Sequence, residues 1–284
     1  MAQDRGRVRL PEGKRIAVAI TCDFDAHAVW LGTFRFNTPA VLSRGEFGAA
    51  VGAPRLLRLF DKHGIRTTWF IPGHTVDTFP EPCRAVKEAG HEIGHHGYGH
   101  INPRSLSLEE ERREMEMGME ALSRLGVRPR GYRCPGGDFS PNTLTVLEEF
   151  GLEYDSSLHG DDFHPYRIRP ILEARPDGPT VFGPPSRVIE LPFSWFLDDF
   201  PLLEFIPGRL EGVRSADEIF GQWQDIFDYA VANEEGACYI LTMHPQTIGR
   251  AHLIGRLDRL IAHMAESGAW FATMSEICDA TVFA

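Results

Sequence analysis

Cysteine is scarce in this chain and carries no pairing pattern. The five residues Cys22, Cys83, Cys134, Cys238 and Cys278 are odd in number, widely scattered and without any C-x-x-C. This excludes a disulfide framework or a zinc knuckle and fits a reducing compartment. Long hydrophobic runs are also missing. No stretch approaches the roughly 18 apolar residues of a membrane span, and no N-terminal apolar segment resembles a signal peptide, so a cytoplasmic location is expected. Positive charge is in deficit, with 29 Lys and Arg against 40 Asp and Glu and a net charge of −11. That balance disfavours nucleic acid and anionic membrane surfaces as partners and points to a small-molecule substrate. Basic residues do gather at Arg5, Arg7, Arg9, Lys14 and Arg15, but Asp4 and Glu12 interrupt them. A solvated, partly frayed terminus is expected there. Internal repeats and low-complexity tracts are lacking as well.

What is present is an alternation of apolar runs and amphipathic segments. With 284 residues and 43% hydrophobic content, the chain can bury a sizeable core as one domain spanning 1–284. Strands are predicted at 16–21, 67–71, 91–94, 131–134, 153–155, 188–191 and 238–242. Helices are predicted at 53–62, 82–88, 108–125, 141–150, 216–232 and 255–265. Nearly every strand is followed by a helix, which implies an α/β fold with a parallel sheet, closed into a barrel or open and doubly wound. The barrel is preferred because Asp23, Asp25, His96, Arg133 and His244 all fall at carboxyl ends of strands, where barrel enzymes gather their reacting groups. The stretch 158–187 is poorly patterned, and its Pro- and Gly-rich part, 169–185, is long for a connection. It is expected to cover the barrel mouth or to serve assembly. With the apolar segment 200–206, it makes a homo-oligomer the expected state.

The most informative local feature is His95-His96-Gly97-Tyr98-Gly99-His100, set against a distant Thr21-Cys22-Asp23-Phe24-Asp25. Two imidazoles and one carboxylate form a ligand set that leaves coordination positions open, the stoichiometry of a catalytic metal site. With 12 His in the chain, spacing alone would be weak. His91 and His95 show the same spacing, but in an extended segment they would lie roughly 13 Å apart and could not share an ion. His96 and His100 follow Gly94 and lead into Asn102-Pro103, so a tight loop can bring their rings together. Asp23 and Asp25 are separated by one residue, so both carboxylates project to one side while Phe24 packs away. One is then able to bind metal while the other stays free.

These motifs resemble those of the polysaccharide deacetylase superfamily, the NodB-homology carbohydrate esterases, which share a distorted (β/α)7 barrel. Thr21-Cys22-Asp23-Phe24-Asp25 is similar to the first family motif and His96-Gly97-Tyr98-Gly99-His100 to the second. Gly131-Tyr132-Arg133-Cys134-Pro135 is similar to the third and Leu241-Thr242-Met243-His244 to the last. The resemblance implies Asp23 as catalytic base, Asp25, His96 and His100 as metal ligands, Arg133 as the residue orienting the base, and His244 as general acid. Phe24 between the aspartates, and the altered tryptophan segment Leu191-Pro192-Phe193-Ser194-Trp195-Phe196-Leu197-Asp198-Asp199, resemble a branch that includes cyclic imide hydrolases and allantoinase-like proteins.

The implied activity is metal-dependent hydrolysis of a non-peptide carbon–nitrogen bond in an amide or cyclic imide. N-deacetylation of an N-acetylated sugar is the alternative, and a catalytically silent carbohydrate- or partner-binding barrel is the rival from another class. The ligand set suits one divalent ion, with zinc the default and cobalt, nickel, manganese and iron open. Trp30, Tyr98, Trp195 and His164 are candidates for substrate contact, although such aromatics also pack cores and loop histidines are commonly solvated. Cys134, without positioned basic partners, reads as a small buried residue rather than a nucleophile. The run Glu109-Glu110-Glu111-Arg112-Arg113-Glu114 reads as a solvated helix face with pairs such as Glu109 with Arg113.

Overall fold

The computed structural model describes residues 4–283. Seven parallel strands form its frame: β1 (Ile16–Asp23), β2 (Thr68–Ile71), β3 (Glu92–His95), β4 (Gly131–Tyr132), β5 (Tyr154–Asp155), β6 (Ile189–Glu190) and β7 (Cys238–Met243). Their order across the sheet is β7-β1-β2-β3-β4-β5-β6, with no reversal of direction. That is the cyclic order of a barrel and not the reversing order of a doubly wound sheet. Closure is imperfect. The antiparallel strand Tyr166–Arg167 follows β6, and the seam toward β7 is bridged by a single pairing of Asp198 with Thr242. The result is a distorted, curled barrel.

All eight residues of β1 are buried, as expected of a strand covered on both faces. Its alternation sorts them by role. Ile16, Val18, Ile20 and Cys22 pack outward with Leu56, Phe60 and Trp69, whereas Ala17 and Ala19 lie inside with Phe70, Tyr154 and Ile240. The small alanines leave room for those rings. By the same period of two, Thr21 and Asp23 continue the inward row above them and arrive at the carboxyl end of the barrel.

The helices begin and end where local chemistry directs. Ala53–His63 stops at Gly64, whose φ of +61° fits the left-handed closing position. Leu108–Arg124 opens on a reciprocal capping box between Ser107 and Glu110. On its surface Arg112 pairs with Glu149 from the helix Thr143–Glu149, in place of an i,i+4 ladder.

Several expectations are corrected. The N-terminal segment is not simply frayed: Gly6–Val8 pairs antiparallel with Thr281–Phe283, and Val8 is buried. The strand Ala269–Phe271 lies beside the first half of β1, and the helix Pro39–Phe47 precedes Ala53–His63; neither was expected. The stretch 169–185 forms an exposed hairpin of Ile171–Glu173 with Val181–Phe182, and none of it lines the cavity at the barrel mouth. No helix among the described residues is long and apolar enough to cross a membrane.

Candidate metal centre

Neighbouring strands end at one level, so their last residues form a ring. Asp23 pairs with Phe70, Ile71 with His95, His95 with Tyr132, Tyr132 with Asp155, and Asp155 with Glu190. Asp25 lies two residues beyond Asp23 and faces the same way. His96 follows β3 directly, and His100 returns to it through a turn in which Gly97 has φ +68° and His100 itself φ +56°. A left-handed histidine is uncommon and costs free energy, so its surroundings must hold it. They do: Glu114 accepts the amide hydrogens of Tyr98 and Gly99 at 3.1 and 2.8 Å. The Thr33 hydroxyl donates to the His100 carbonyl at 2.9 Å. Gly32 makes this approach possible, because a Cβ there would stand 2.0 Å from the Gly99 carbonyl oxygen.

Nε2 of His96 and Nε2 of His100 lie 3.4 and 3.5 Å from the same oxygen, Oδ1 of Asp25. The other ring nitrogens fix the tautomers. Nδ1 of His96 is 2.7 Å from the Arg133 carbonyl, which can only accept, so that nitrogen carries the hydrogen. Nδ1 of His100 is 2.7 Å from the Thr33 hydroxyl, whose own hydrogen is already given to the His100 carbonyl. Both rings therefore present a bare Nε2 lone pair toward Asp25. Oδ1 and Oδ2 of Asp25 and Nε2 of His96 are buried without hydrogen-bond partners. Converging, unpartnered buried acceptors are costly unless a cation joins them. One ligand atom from each of Asp25, His96 and His100 lies within 4.8 Å of the others, and this donor set fits one divalent ion.

Charge around the centre is arranged in two halves. On one side, the Arg133 guanidinium donates to Asp23 at 2.8 Å and to Thr21 Oγ1 at 2.8 Å, and is also held by the carbonyl and hydroxyl of Ser156 at 3.0 and 2.9 Å. Phe70 lies under it, 4.3 Å from ring centre to guanidinium. On the other side, Nε2 of His244 faces Asp25 at 3.6 Å and Asp23 at 4.0 Å, while its Nδ1 sits 2.7 Å from Asp199. Burial alone would raise the Asp25 carboxyl, but His100, His96 and His244 hold it down at about 2. Burial alone would likewise lower His244, yet Asp198 and Asp199 carry it well above the ordinary imidazole range. Burial would lower His96, but the facing Asp23 and Asp25 carboxylates draw it upward, as they would draw any cation to that nitrogen, and His100 is brought down to about 4 mainly by burial. Asp198, Asp199 and His244 also form a compact donor group. Within it the 2.7 Å contact of His244 Nδ1 with Asp199 fixes the ring with Nε2 turned toward Asp25.

A cavity of about 200 Å³ opens over these groups, walled by Val29, Phe34, Phe193, Trp195 and Phe200, with Cys134 among its lining. Burial pushes the Cys134 thiol well up. Asp23, Asp25, His96, His100, Arg133, His244 and Trp195 are thus brought together, whereas Trp30, Tyr98 and His164, expected against substrate, do not line the cavity. Trp30 is wholly buried behind Phe34 and Phe200, with the Arg44 guanidinium 4.5 Å from its ring, so it backs the wall. The Tyr98 hydroxyl turns outward to Asp77 at 3.2 Å. His164 bonds the Glu235 carbonyl beside the segment that receives Cys238, at the opposite end of β7 from His244. Thr33, Glu114, Ser156, Asp198 and Asp199 were not foreseen in supporting roles. Only the pairing of Asp198-Asp199 with the altered tryptophan segment could have drawn attention to any of them.

The polysaccharide deacetylase family model matches residues 46–154. A peptidoglycan deacetylase of Helicobacter pylori is 36% identical, over 94% of this chain and 96% of its own length. A Mycobacterium smegmatis structure classed with the polysaccharide deacetylases superposes with a TM-score of 0.83 at 35% identity, covering 96% of this chain and 92% of that one. The Puue allantoinase structure, at 24% identity and a TM-score of 0.78 over 95% of this chain and 91% of its own, shares the fold.

Proposed function

The chain belongs to the polysaccharide deacetylase family, and we propose that its buried centre hydrolyses a non-peptide carbon–nitrogen bond of a compact amide or cyclic imide in a metal-dependent reaction. The observation that carries this reading is the convergence of bare His96 and His100 Nε2 atoms on Asp25, with Asp23 and His244 on either flank. A divalent ion held by Asp25, His96 and His100 would supply acidified water, its pKa lowered from 15.7 to about 7, and would polarise the substrate carbonyl.

The remaining work falls to the chain's own groups. Asp23, oriented through one oxygen by Arg133, has its other oxygen free to accept a proton from the attacking water. His244, kept protonated by Asp198 and Asp199, donates to the departing nitrogen, which is too basic to leave as an anion. The five apolar walls exclude bulk water and strengthen these charge interactions. The size of the cavity suits a small ring, as of an imide or ureide, and equally the acetyl group of an amino sugar. N-deacetylation of an amino sugar is the second reading, favoured by the name and the 36% identity of the Helicobacter pylori relative.

Incubation of the metal-supplemented protein with cyclic imides, ureides and N-acetyl sugars, followed by mass spectrometry, separates the two. Gain of one water without loss of acetyl indicates ring opening, and release of acetate indicates deacetylation. Asp23→Asn is expected to keep the ion and to lose turnover by about 10²–10⁴-fold. Full activity in that variant, or no hydrolysis of any candidate by the metal-loaded wild type, would overturn the reading.

A further inference from the structure

Behind Arg133 lies a second pair of buried acids that the reaction does not use. Asp155 ends β5 and Glu190 ends β6; they are register partners on adjacent parallel strands, and both are fully buried. Asp155 Oδ1 accepts the Ser157 hydroxyl at 2.8 Å, and the Ser157 oxygen in turn accepts the Cys134 amide at 2.8 Å. Glu190 Oε1 accepts the amides of Ser157 and Leu158, each at 2.8 Å. Each acid therefore has one well-satisfied oxygen. The others, Asp155 Oδ2 and Glu190 Oε2, have no donor at all.

Among the described residues, no cationic side chain stands between them. The nearest guanidinium, that of Arg133, is committed to Ser156, Thr21 and Asp23. Tyr166, opposite Glu190 on the next strand, has its hydroxyl oxygen on the Gly160 amide. Two ionised carboxylates in contact in a dry interior repel strongly, and one proton between the two unpartnered oxygens removes both the repulsion and the missing hydrogen bond. Burial raises both acids, and Glu190 more strongly because it also faces Asp155.

We propose that Asp155 and Glu190 share a single proton, and that this contact makes them positioning residues: it locks the turn 155–158, whose Ser156 holds Arg133 and, through it, Asp23. The first half of this statement stands on the pair alone; the second rests on the hydrolytic reading of the site. The turn is tied at its start by Leu191 N to the Asp155 carbonyl and Ser156 N to the Tyr132 carbonyl, and at its end by Phe193 N to the Leu158 carbonyl, while the acid pair fastens its middle through the Ser157 hydroxyl and the Ser157 and Leu158 amides.

The test is a set of amide variants. In Glu190→Gln the new NH₂ replaces the shared proton as donor to Asp155 while the amide oxygen keeps Ser157 and Leu158. In Asp155→Asn the roles are exchanged. Each single variant is expected to fold, to bind metal and to retain kcat within about threefold. In the double variant the two NH₂ groups meet, one must turn away and release its serine or amide partners, and kcat is expected to fall on the order of 10²-fold with KM little changed. Infrared difference spectra supply a readout independent of substrate: a protonated carboxyl C=O band in the wild type that disappears in either single variant. Absence of that band, or a double variant as thermostable as the singles, would overturn the shared proton. A band that is present, with a double variant that is destabilised but unchanged in kcat, would overturn the positioning role. Absence of hydrolysis in the wild type would instead count against the reading of the site and leave the spectroscopic arm to decide the pair.

Discussion

The main-chain oxygen of Arg133 lies 2.7 Å from Nδ1 of His96, while its guanidinium lies 2.8 Å from Asp23. One residue thus orients a proposed metal ligand through its backbone and the proposed base through its side chain. The two tasks are separable by mutation, because side-chain replacement leaves the carbonyl in place.

Arg133→Lys therefore keeps the hydrogen bond to His96 and loosens the grip on Asp23, since a single ammonium nitrogen cannot span the four acceptors that the guanidinium fork reaches on Asp23, Thr21 and Ser156. The expected outcome is normal metal content with kcat lowered on the order of 10²-fold. Metal analysis beside steady-state kinetics checks it; loss of the ion would show that the two tasks are coupled.

Glu114 holds the ligand-bearing loop by accepting the Tyr98 and Gly99 amides. In Glu114→Ala the left-handed His100 loses its support, and metal affinity is expected to drop by about 10–100-fold. Competition against a chelator measures this directly. An unchanged dissociation constant would mean that Thr33 alone suffices.

His244 owes its raised pKa to Asp198 and Asp199 acting against burial. A group raised in this way stays protonated as pH climbs through its ordinary range and loses its proton only above it, so the alkaline limb of kcat is expected to lie above neutral pH. Asp199→Asn keeps an acceptor for Nδ1 but removes a charge, and the limb should move to lower pH. A pH–rate profile with an unmoved limb would exclude His244 as the acid.

The fold itself carries a pH signature at His91. Burial lowers this imidazole to about 4 from 6.5, and its Nδ1 accepts the Thr67 amide at 3.1 Å. The folded state thus disfavours its protonation: its contribution to stability is full above about 6.5 and is lost as pH falls toward 4. Urea unfolding at several pH values is expected to show a shallower acid dependence in His91→Asn, which retains an acceptor for Thr67. Parallel curves for the two proteins would contradict this.

Much of the barrel frame could be read from sequence because it rests on local periodicity. The inward row of β1 ends on Asp23, and Gly94 before His96 with Asn102-Pro103 after His100, more than the spacing itself, single out those rings. Supporting groups were illegible for a different reason. Thr33 reaches His100 across 67 residues and Asp199 reaches His244 across 45, and nothing in either local pattern marks the contact. The charged run 109–114 is only partly a solvated face: Glu111 is buried and accepts the Ser140 and Thr143 hydroxyls, and Glu114 turns to the loop, so composition concealed the direction of both. Trp30, Tyr98 and His164 illustrate the converse: residue types suited to binding, directed elsewhere by Arg44, Asp77 and Glu235. Gly6–Val8 was hidden because its partner lies at the far end of the chain.

The seam between β6 and β7, where among the described residues Asp198 with Thr242 is the one isolated bridge, divides the site into two unequally anchored parts. The proposed ligands and base hang from continuous strand ladders, where insertions would shift every neighbour. The carboxylates that set the strength of the proton donor hang from an irregular segment outside those ladders. Under the proposed reaction, substitutions in that segment would retune the acid to leaving groups of different basicity while leaving the ion-holding half as it is.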